Sequence, residues 1–219
     1  MLKKLTEEKL SEILECGISE FAEHGFEGAA MKNIAQRAGI SVGVLYKYYA
    51  GKDAFVMACI RKCLGELEAL LGDMTSKADK PLNYARTLIK TLLFYSREHG
   101  DYFRMYHRIT ELSECSKELA DEIEGFTSRL YADFLKDAQA NGVIRRDIDP
   151  GLFAFFFDNL LMMMQFSYSC PYYMERYKLY GGENVMENDE YVTAQLLKFM
   201  ESAFTVESAD IPHRNEEKI

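Results

Sequence analysis

The amino-acid sequence predicts an all-α protein with a small N-terminal domain of three helices and a larger helical domain behind it. Apolar residues recur at steps of three and four, as on one face of a helix. Only 4 prolines interrupt the 219 residues, and glycines divide the chain into segments of helical length. Hydrophobic residues make up 48% of the chain and charged residues 28%, which suffices for a substantial core.

The first fifty residues predict three helices joined by short breaks. Thr6 is a suitable N-cap for the first helix, whose apolar stripe continues until Gly25. A short second helix is expected over residues 31–38. The third, over residues 42–49, has Ser41 as its N-cap. A helix, a short helix, a four-residue turn and another short helix are the layout of a helix-turn-helix.

The remainder predicts longer helices without strands. They are expected over residues 52–71, 81–98, 101–112, 117–140, 151–170, 172–180 and 189–204. The expected domains are residues 1–51 for the helix-turn-helix, residues 52–206 for the larger helical domain, and residues 207–219 for a polar tail.

The cysteines and the apolar segments bear on the compartment. The chain starts without an apolar stretch long enough for a secretory signal, and its most apolar segment is too short to cross a membrane. Five cysteines, an odd number, are typical of reduced thiols, so we expect a cytoplasmic protein. Cys59 and Cys63 lie four residues apart, either as two small core residues or, less simply, as a metal or redox pair.

The charge is unevenly distributed along the chain. A net charge of −9 speaks against a nucleic-acid partner. Residues 1–62, however, hold nine Lys or Arg against eight Asp or Glu, a net of +1, which leaves −10 for the rest. Residues 28–52 contain four basic residues and no carboxylate. This segment can approach a phosphate backbone without like-charge repulsion.

One motif follows the predicted turn. It reads Gly39-Ile40-Ser41-Val42-Gly43-Val44-Leu45-Tyr46-Lys47-Tyr48-Tyr49, then Gly51-Lys52-Asp53-Ala54-Phe55, with Phe21-Ala22-Glu23-His24-Gly25-Phe26 and Ile34-Ala35 upstream. Over about residues 10–56 the chain resembles the N-terminal domain of the tetracycline repressor (TetR) family of bacterial transcriptional regulators. The resemblance implies a homodimer that binds a palindromic double-stranded DNA operator, by family habit as a repressor, and that a small-molecule effector releases.

The motif supplies candidate DNA-binding residues. Ser41 can cap the recognition helix, and Gly43 has no side chain to hold that helix away from the major groove. The resemblance gives Tyr46, Tyr48 and Lys52 contacts to the DNA backbone, with core packing left open for the tyrosines. The full expected set is Lys32, Ser41, Val42, Gly43, Val44, Tyr46, Lys47, Tyr48 and Lys52. Ala29 and Ala30 stand where the family commonly has Thr or Ser, and a lost cap costs about 1 kcal/mol.

The larger domain has one helix, over residues 151–170, that is apolar nearly all round. The resemblance implies that it pairs with the last helix in a dimer, and the expected interface residues are Ala154, Asp158, Leu161, Gln165, Leu196, Phe199 and Met200. The expected effector residues are Phe103, Tyr106, Phe126, Phe155, Asn159, Met162, Met163 and Phe166. Asn159 is either a polar anchor for a ligand or an interhelical hydrogen-bond partner.

The abundance of Met and aromatic residues suits a malleable apolar cavity. We therefore expect a hydrophobic or amphipathic effector, such as a fatty acyl derivative, an aromatic compound or a drug. No phosphate loop, nucleophile motif or metal-ligand cluster is present in the sequence, so we expect neither an enzyme nor a metal or other cofactor. The main alternative is a helical interaction module that does not bind DNA.

Overall fold

The computed structural model describes residues 4–75, 81–112 and 117–205, and the regular elements in these ranges are all helices. They are α1 (Glu7–Gly28), α2 (Met31–Arg37), α3 (Val42–Tyr48), α4 (Lys52–Thr75), α5 (Pro81–Glu98), α6 (Gly100–His107), α7 (Lys117–Ala140), α8 (Pro150–Ser169), α9 (Pro171–Gly181) and α10 (Asp189–Thr205). The predicted all-α class is confirmed. Within the described ranges, no helix combines the length and apolar character needed to cross a membrane.

The predicted N-caps at the start of the chain form as hydrogen bonds. Thr6 Oγ1 accepts from the backbone N–H of Lys9 at 3.3 Å, and Ser41 Oγ accepts from that of Val44 at 3.4 Å. α1 continues to Gly28 rather than ending at Gly25, although Gly25 interrupts it with a φ of 72°. The single helix expected over residues 101–112 is instead α6 followed by a 3-10 turn over Arg108–Glu111.

Two hydrophobic cores share the described chain. The first joins α1, α2 and α3 to the first half of α4, to α6 and to the end of α8. The second is built by α5, α7, α8 and α10 with the end of α4. Phe55 and Val56 of α4 belong to the first core, so this core extends past the domain boundary expected at residue 52. The helix-turn-helix therefore rests directly on α4 and α6.

Gly17 sets the distance between α1 and α4. A methyl group at this position would lie 2.5 Å from Cε1 of Phe55 and 2.8 Å from Sγ of Cys59, closer than any normal contact. Both neighbours are fully buried and have no room to retreat. The absence of a side chain at Gly17 thus lets α4 pack close against α1.

The cysteine pair of α4 belongs to this packing. Cys59 is fully buried, and its thiol lies 3.7 Å from the carbonyl oxygen of Leu14. Burial raises the pKa of Cys59 and of Cys63 well above the usual thiol value, so both remain protonated. In the described residues, no three His, Cys, Asp or Glu side chains converge as a metal site would require. Cys115 lies outside the described residues.

The start of α2 is capped from another helix. Ala30, the N-cap residue, offers no side-chain hydrogen bond. The carboxylate of Glu20, buried on α1, accepts from the N–H of Ala30 at 3.3 Å and from Nδ2 of Asn33 at 3.0 Å. Its other oxygen accepts from Arg37 at 3.4 Å. The expected loss of a cap at Ala30 is therefore compensated by Glu20.

The electrostatic balance favours the charged form of Glu20. Burial by itself would raise the pKa of this carboxyl. The hydrogen bonds from Asn33 and Ala30, together with the nearby His24 and Arg37, outweigh burial and hold the pKa below its usual value. The ionised carboxylate is consequently the form that the folded protein stabilises.

We predict opposite effects for two glycine substitutions. Gly17→Ala should destabilise the protein by about 1–3 kcal/mol, because the added methyl overpacks the contact with Phe55. Gly65→Ala, also in a helix but with nothing within 4 Å of the new methyl, should stabilise it by about 0.5–1 kcal/mol. Because the chain has no Trp, urea unfolding is followed by circular dichroism at one protein concentration. Equal effects of the two changes would contradict this account of Gly17.

We further predict that Glu20→Gln destabilises the protein by about 1–3 kcal/mol at pH 7, because it removes a buried charge from three donors. A depressed folded pKa confers stability that is present above about pH 4.3, the ordinary glutamate value, and is lost as the pH falls through the folded pKa. The difference between wild type and variant in thermal unfolding should accordingly shrink on acidification below pH 4.3. Glu23→Gln, exposed on the same helix, is the control and should change little.

Candidate nucleic-acid interface and effector cavity

The turn between α2 and α3 fixes the direction of the recognition helix. Gly39 has a φ of 65°, a conformation that glycine adopts without strain. The N–H of Ile40 then donates to the carbonyl of Ala35 at 2.9 Å, which closes the turn. On α3, Leu45 alone is fully buried, in the core with Ile34 and Ala35. The remaining sides of this short helix are exposed or only partly buried.

The exposed side of α3 carries most of the expected DNA-binding residues. Ser41, Val42, Gly43, Tyr46 and Lys47 are exposed, Val44 is partly buried, and Lys32 is exposed on α2. Half of Tyr46 is accessible, so core packing does not account for this tyrosine. The first turn of α3 contains no acidic side chain. The helix therefore presents small apolar side chains, a phenol and an ammonium group on one accessible surface.

Tyr48 and Lys52 flank this surface and already have partners within the chain. The hydroxyl oxygen of Tyr48 accepts a hydrogen bond from the backbone N–H of Leu5 at 2.7 Å. Nζ of Lys52 donates to the carbonyl of Glu27, near the end of α1, at 2.9 Å. Both groups brace the helix-turn-helix. Lys52 would have to exchange its partner to reach a phosphate.

Arg37 contributes less positive charge than the sequence pattern indicates. Its guanidinium lies 3.4 Å from Glu20 and 3.5 Å from Glu23, and donates to Ser19 at 2.8 Å. The segment over residues 28–52 is free of acid in sequence, but α1 brings two carboxylates against it in the fold. Lys32, Lys47 and Lys52 near the recognition helix keep their full positive charge, because no ion pair to any of them is present among the described residues.

A cavity lies among α4, α5, α6, α7 and α8. It encloses about 640 Å³ of empty space, partly continuous with solvent. Its apolar lining is Cys63, Leu64, Leu67, Leu71, Leu92, Phe103, Ile123 and Met162, and its polar lining is Tyr95, Tyr102, Tyr106, Glu124, Thr127, Tyr131, Asp158 and Gln165. A mostly apolar wall with a few polar groups is usual for small-molecule sites.

A second cavity adjoins the first. It encloses about 850 Å³, also partly solvent, and shares Tyr106, Ile123, Glu124 and Met162 with the first. The hydroxyl of Tyr106 donates to the carboxylate of Glu124, so this hydrogen bond lies in the common wall. Burial, followed by the charge of Glu124, raises the pKa of Tyr106 and keeps its phenol protonated.

The wall of the first cavity is hydrogen-bonded to the DNA-facing half of the molecule. The hydroxyl of Tyr102 donates to Glu15 on α1, and the hydroxyl of Tyr95 donates to Glu66 on α4 at 3.4 Å. Lys62, mostly buried, lies 3.1 Å from Glu15 and 2.6 Å from Glu66. Two tyrosines that line the cavity are thereby connected through a single ammonium group to both α1 and α4.

The expected effector residues fall into two groups. Phe103, Tyr106 and Met162 line the first cavity, and Phe166 lines the second with Tyr106 and Met162. Phe126 and Met163 pack at the edges of the cores instead. Phe155 is exposed to 61%, and the Asn159 amide donates to the carbonyl of Phe155 at 2.7 Å, within the same helix. These last four residues line neither cavity, and the hydrogen bond that Asn159 makes lies within α8 rather than between helices.

The expected dimer face of α8 requires correction. Ala154 and Leu161 are buried within the chain, as is Met200 of α10, while Asp158 and Gln165 line the cavity. Leu196 is partly buried in the second core, and Phe199 is exposed. The face that the chain leaves uncovered is the opposite one, with Leu152, Phe155, Phe156 and Leu160 exposed. The apolar moment of α8 is weak because both faces are apolar, so periodicity could not tell which one α5 and α7 cover.

Most residues of the cavity wall lie outside the expected effector set, among them Glu124, Tyr131 and Asp158. A signal for Asp158 was present, because it is the single charged residue in α8. A carboxylate in an otherwise apolar helix needs a polar environment or a partner. Glu124 and Tyr131 lie on the mixed helix α7, where nothing in the pattern distinguishes them.

Comparison with known proteins gives the family. Residues 13–59 match the family model described as bacterial regulatory proteins, tetR family. The HTH-type transcriptional repressor DhaR of Mycobacterium sp. (strain GP1) is 26% identical over 152 residues, which are 66% of this chain and 74% of DhaR. The curated relatives that this chain matches are transcriptional regulators and not enzymes.

Two solved structures show the same fold over most of the chain. The fatty acid degradation regulator FadR from Bacillus halodurans superposes with a TM-score of 0.68 at 18% identity, covering 86% of this chain and 97% of that one. FadR from Bacillus subtilis, in complex with stearoyl-CoA, gives a TM-score of 0.64 at 15% identity, with 86% and 97% covered. The helix-turn-helix of this chain thus matches the tetR family of bacterial regulatory proteins, and the rest of the chain shares the fold of these regulators.

Proposed function

We propose that this protein is a transcriptional repressor that binds a palindromic operator as a homodimer and is released by a small-molecule effector in the cavity. The observation that carries this proposal is the accessible surface of α3, which has no acidic side chain and is held rigidly by the Gly39 turn and the buried Leu45. Such a protein acts on chromosomal DNA, and we accordingly place it in the cytoplasm.

The chemistry of α3 suits the major groove. Lys47 is long enough to donate to O6 and N7 of a guanine, and Val42 and Val44 can contact thymine methyl groups. Gly43 allows the helix axis to approach the base edges, while Ser41 places the first backbone amides near a phosphate. Tyr46 and Tyr48 supply hydroxyls for the DNA backbone, which fix register without reading sequence.

A dimer would cover the uncovered face of α8. Leu152, Phe155, Phe156 and Leu160 expose large apolar side chains, and Phe199 does the same on α10. Phe153 of α8 contacts Phe204 of α10 with ring centroids 5.5 Å apart, so the two helices are neighbours at this end. An exposed apolar patch of this kind marks an interaction surface. A two-fold dimer also presents two α3 helices to grooves spaced about 34 Å apart.

The tyrosine network supports coupling between the effector and DNA. An effector that displaces Tyr95 or Tyr102 would break their hydrogen bonds to Glu66 and Glu15 and disturb the positions of α4 and α1. Because Gly17 packs α1 tightly on α4, a shift of α4 carries the helix-turn-helix with it. The separation of the two α3 helices in the dimer then no longer matches the spacing of the major grooves, and the affinity for DNA falls.

We predict that the double variant Tyr46→Ala/Lys47→Ala binds the DNA flanking its own gene at least about tenfold more weakly than wild type, since one base contact and one backbone contact are lost. A mobility-shift titration measures the change. The matched control is Tyr180→Ala/Lys136→Ala, which removes the same two side-chain types from exposed positions on α9 and α7. Unchanged DNA affinity in the first double variant would refute the assigned role of α3.

We also predict that Phe155→Glu converts the dimer to a monomer, because a charge cannot be buried in the apolar interface. Sedimentation velocity across a range of protein concentrations measures the change. Phe94→Glu on α5 is the control, since Phe94 is exposed to 62% and Phe155 to 61% in the isolated chain. If both variants remained dimeric, or if wild type were a monomer, the α8 face would not be the dimer interface.

A further inference from the structure

The cavity has an acidic end. Glu124 of α7 and Asp158 of α8 both line it. Among the described residues that line this cavity, there is no Lys, Arg or His to offset the two carboxylates. Apart from Thr127 and Gln165, the remaining wall is apolar or aromatic. The potential inside the cavity is therefore negative, and the apolar surroundings screen it less than water would.

Asp158 is the less satisfied of the two carboxylates. Glu124 accepts a hydrogen bond from Tyr106, whereas no hydrogen bond or ion pair to Asp158 is present in the part of the chain that the structure describes. Burial, and then the charge of Glu124, raises the pKa of Asp158 to about 6. At pH 7 most molecules still carry the charge. An ionised carboxylate with no partner in such a site destabilises the empty protein.

Tyr131 supplies an independent sign of a missing partner. Only 2% of this residue is exposed, and its ring packs on Phe157 with centroids 5.2 Å apart. Its hydroxyl belongs to the cavity wall and, within the described ranges, makes no hydrogen bond. Burial, and then the charge of Asp158, raises the pKa of Tyr131, and both residues line the same cavity. A buried polar group left without a partner costs about 1–3 kcal/mol, which a ligand at this position would recover.

We propose that the effector is an apolar molecule carrying a positive charge, with Asp158 and Glu124 as its counter-charges. This inference rests on the proposed function, because it takes the cavity as the effector site. The hydroxyl oxygen of Tyr131 faces the positive group, and the rings of Tyr102 and Tyr106 in the same wall favour a cation further. The apolar remainder of the ligand lies against the leucines of α4 and extends past the shared wall into the second cavity.

The sign of the charge separates this inference from the wider expectation of any amphipathic effector. A fatty acid or an acyl-CoA would bring its own anionic groups to an apolar chamber that already holds two carboxylates. Like charges repel each other more strongly in an apolar cavity of low dielectric constant than they do in water. The cavity should consequently reject these anions and accept lipophilic amines or quaternary ammonium compounds.

Three ten-carbon probes that differ only in the head group test the inference on the full chain. Decyltrimethylammonium is cationic, decanesulfonate is anionic and decanol is neutral, and calorimetric titration at pH 7.5 gives their affinities. We expect the cation to bind at least about tenfold more tightly than either of the others. It should also release the DNA in a mobility shift, whereas decanesulfonate should not.

Variants locate the effect at the acidic end. Asp158→Asn should weaken decyltrimethylammonium at least about tenfold and leave decanol nearly unchanged, with Glu124→Gln as a second variant that acts in the same direction. Asp133→Asn, which removes an exposed carboxylate from α7, is the matched control and should change neither. Circular dichroism melting of each variant checks folding, and Asp158→Asn should melt no lower than wild type, because it removes an unpaired and partly buried charge.

Several outcomes would overturn the inference. They are equal or tighter binding of decanesulfonate or decanol, binding of none of the three probes, or an unchanged affinity of the cation for both the Asp158→Asn and Glu124→Gln proteins. DNA binding without any probe is measured in parallel. If the protein binds its DNA and the anionic probe releases it, the proposed function stands and only the charge of the effector is wrong. If no DNA is bound at all, the proposed function fails first.

Discussion

The orientation of the helix-turn-helix depends on a single carboxylate. Glu20 lies on α1, yet it accepts hydrogen bonds from the backbone N–H of Ala30, the N-cap residue of α2, and from two side chains of that helix, Asn33 and Arg37. Helices as short as α2 and α3, of seven residues each, are not stable alone in water. They keep their geometry because α1 holds one end of α2 and the core holds Leu45. The carboxylate of Glu20 thus fixes α2 on the long helix α1 and, through α2, the position of α3.

The same carboxylate changes how the charges of the chain should be interpreted. Read along the sequence, the stretch over residues 28–52 is purely basic, which suggests a broad positive surface. In the fold, Glu20 and Glu23 neutralise Arg37, and the carbonyl of Glu27 accepts a hydrogen bond from Lys52. What remains is a small positive region near Lys32, Lys47 and Lys52 on an acidic protein, since a neutral carbonyl leaves the charge of Lys52 in place. A surface of that kind gives a modest non-specific attraction to DNA and leaves discrimination to a few base contacts.

The elements of the fold could be predicted from the sequence because their signals are local. Thr6 and Ser41 cap the helices that follow them, and the Gly39 turn is fixed by neighbours five residues apart or fewer. The partner of Ala30 could not be predicted, since Glu20 reaches it from another helix. The faces of α8 could not be distinguished either, because the helix is apolar on both sides and only packing by α5 and α7 decides between them. The sequence predicts Asp158 at a dimer face and the adjacent Asn159 at the effector site. In the structure, Asp158 lines the cavity and Asn159 does not.

The hydrogen bond from the amide of Leu5 to the hydroxyl of Tyr48 has a consequence for the beginning of the chain. A phenol that accepts one hydrogen bond still has its own hydrogen to donate, and it becomes a better donor when its oxygen is polarised in this way. The same bond fastens the residues ahead of α1 to the recognition helix, so that Lys4, exposed and next to Leu5, accompanies α3 wherever it docks. In the proposed complex with DNA, the ammonium group of Lys4 would thereby lie beside α3 and add to the counterions released on binding.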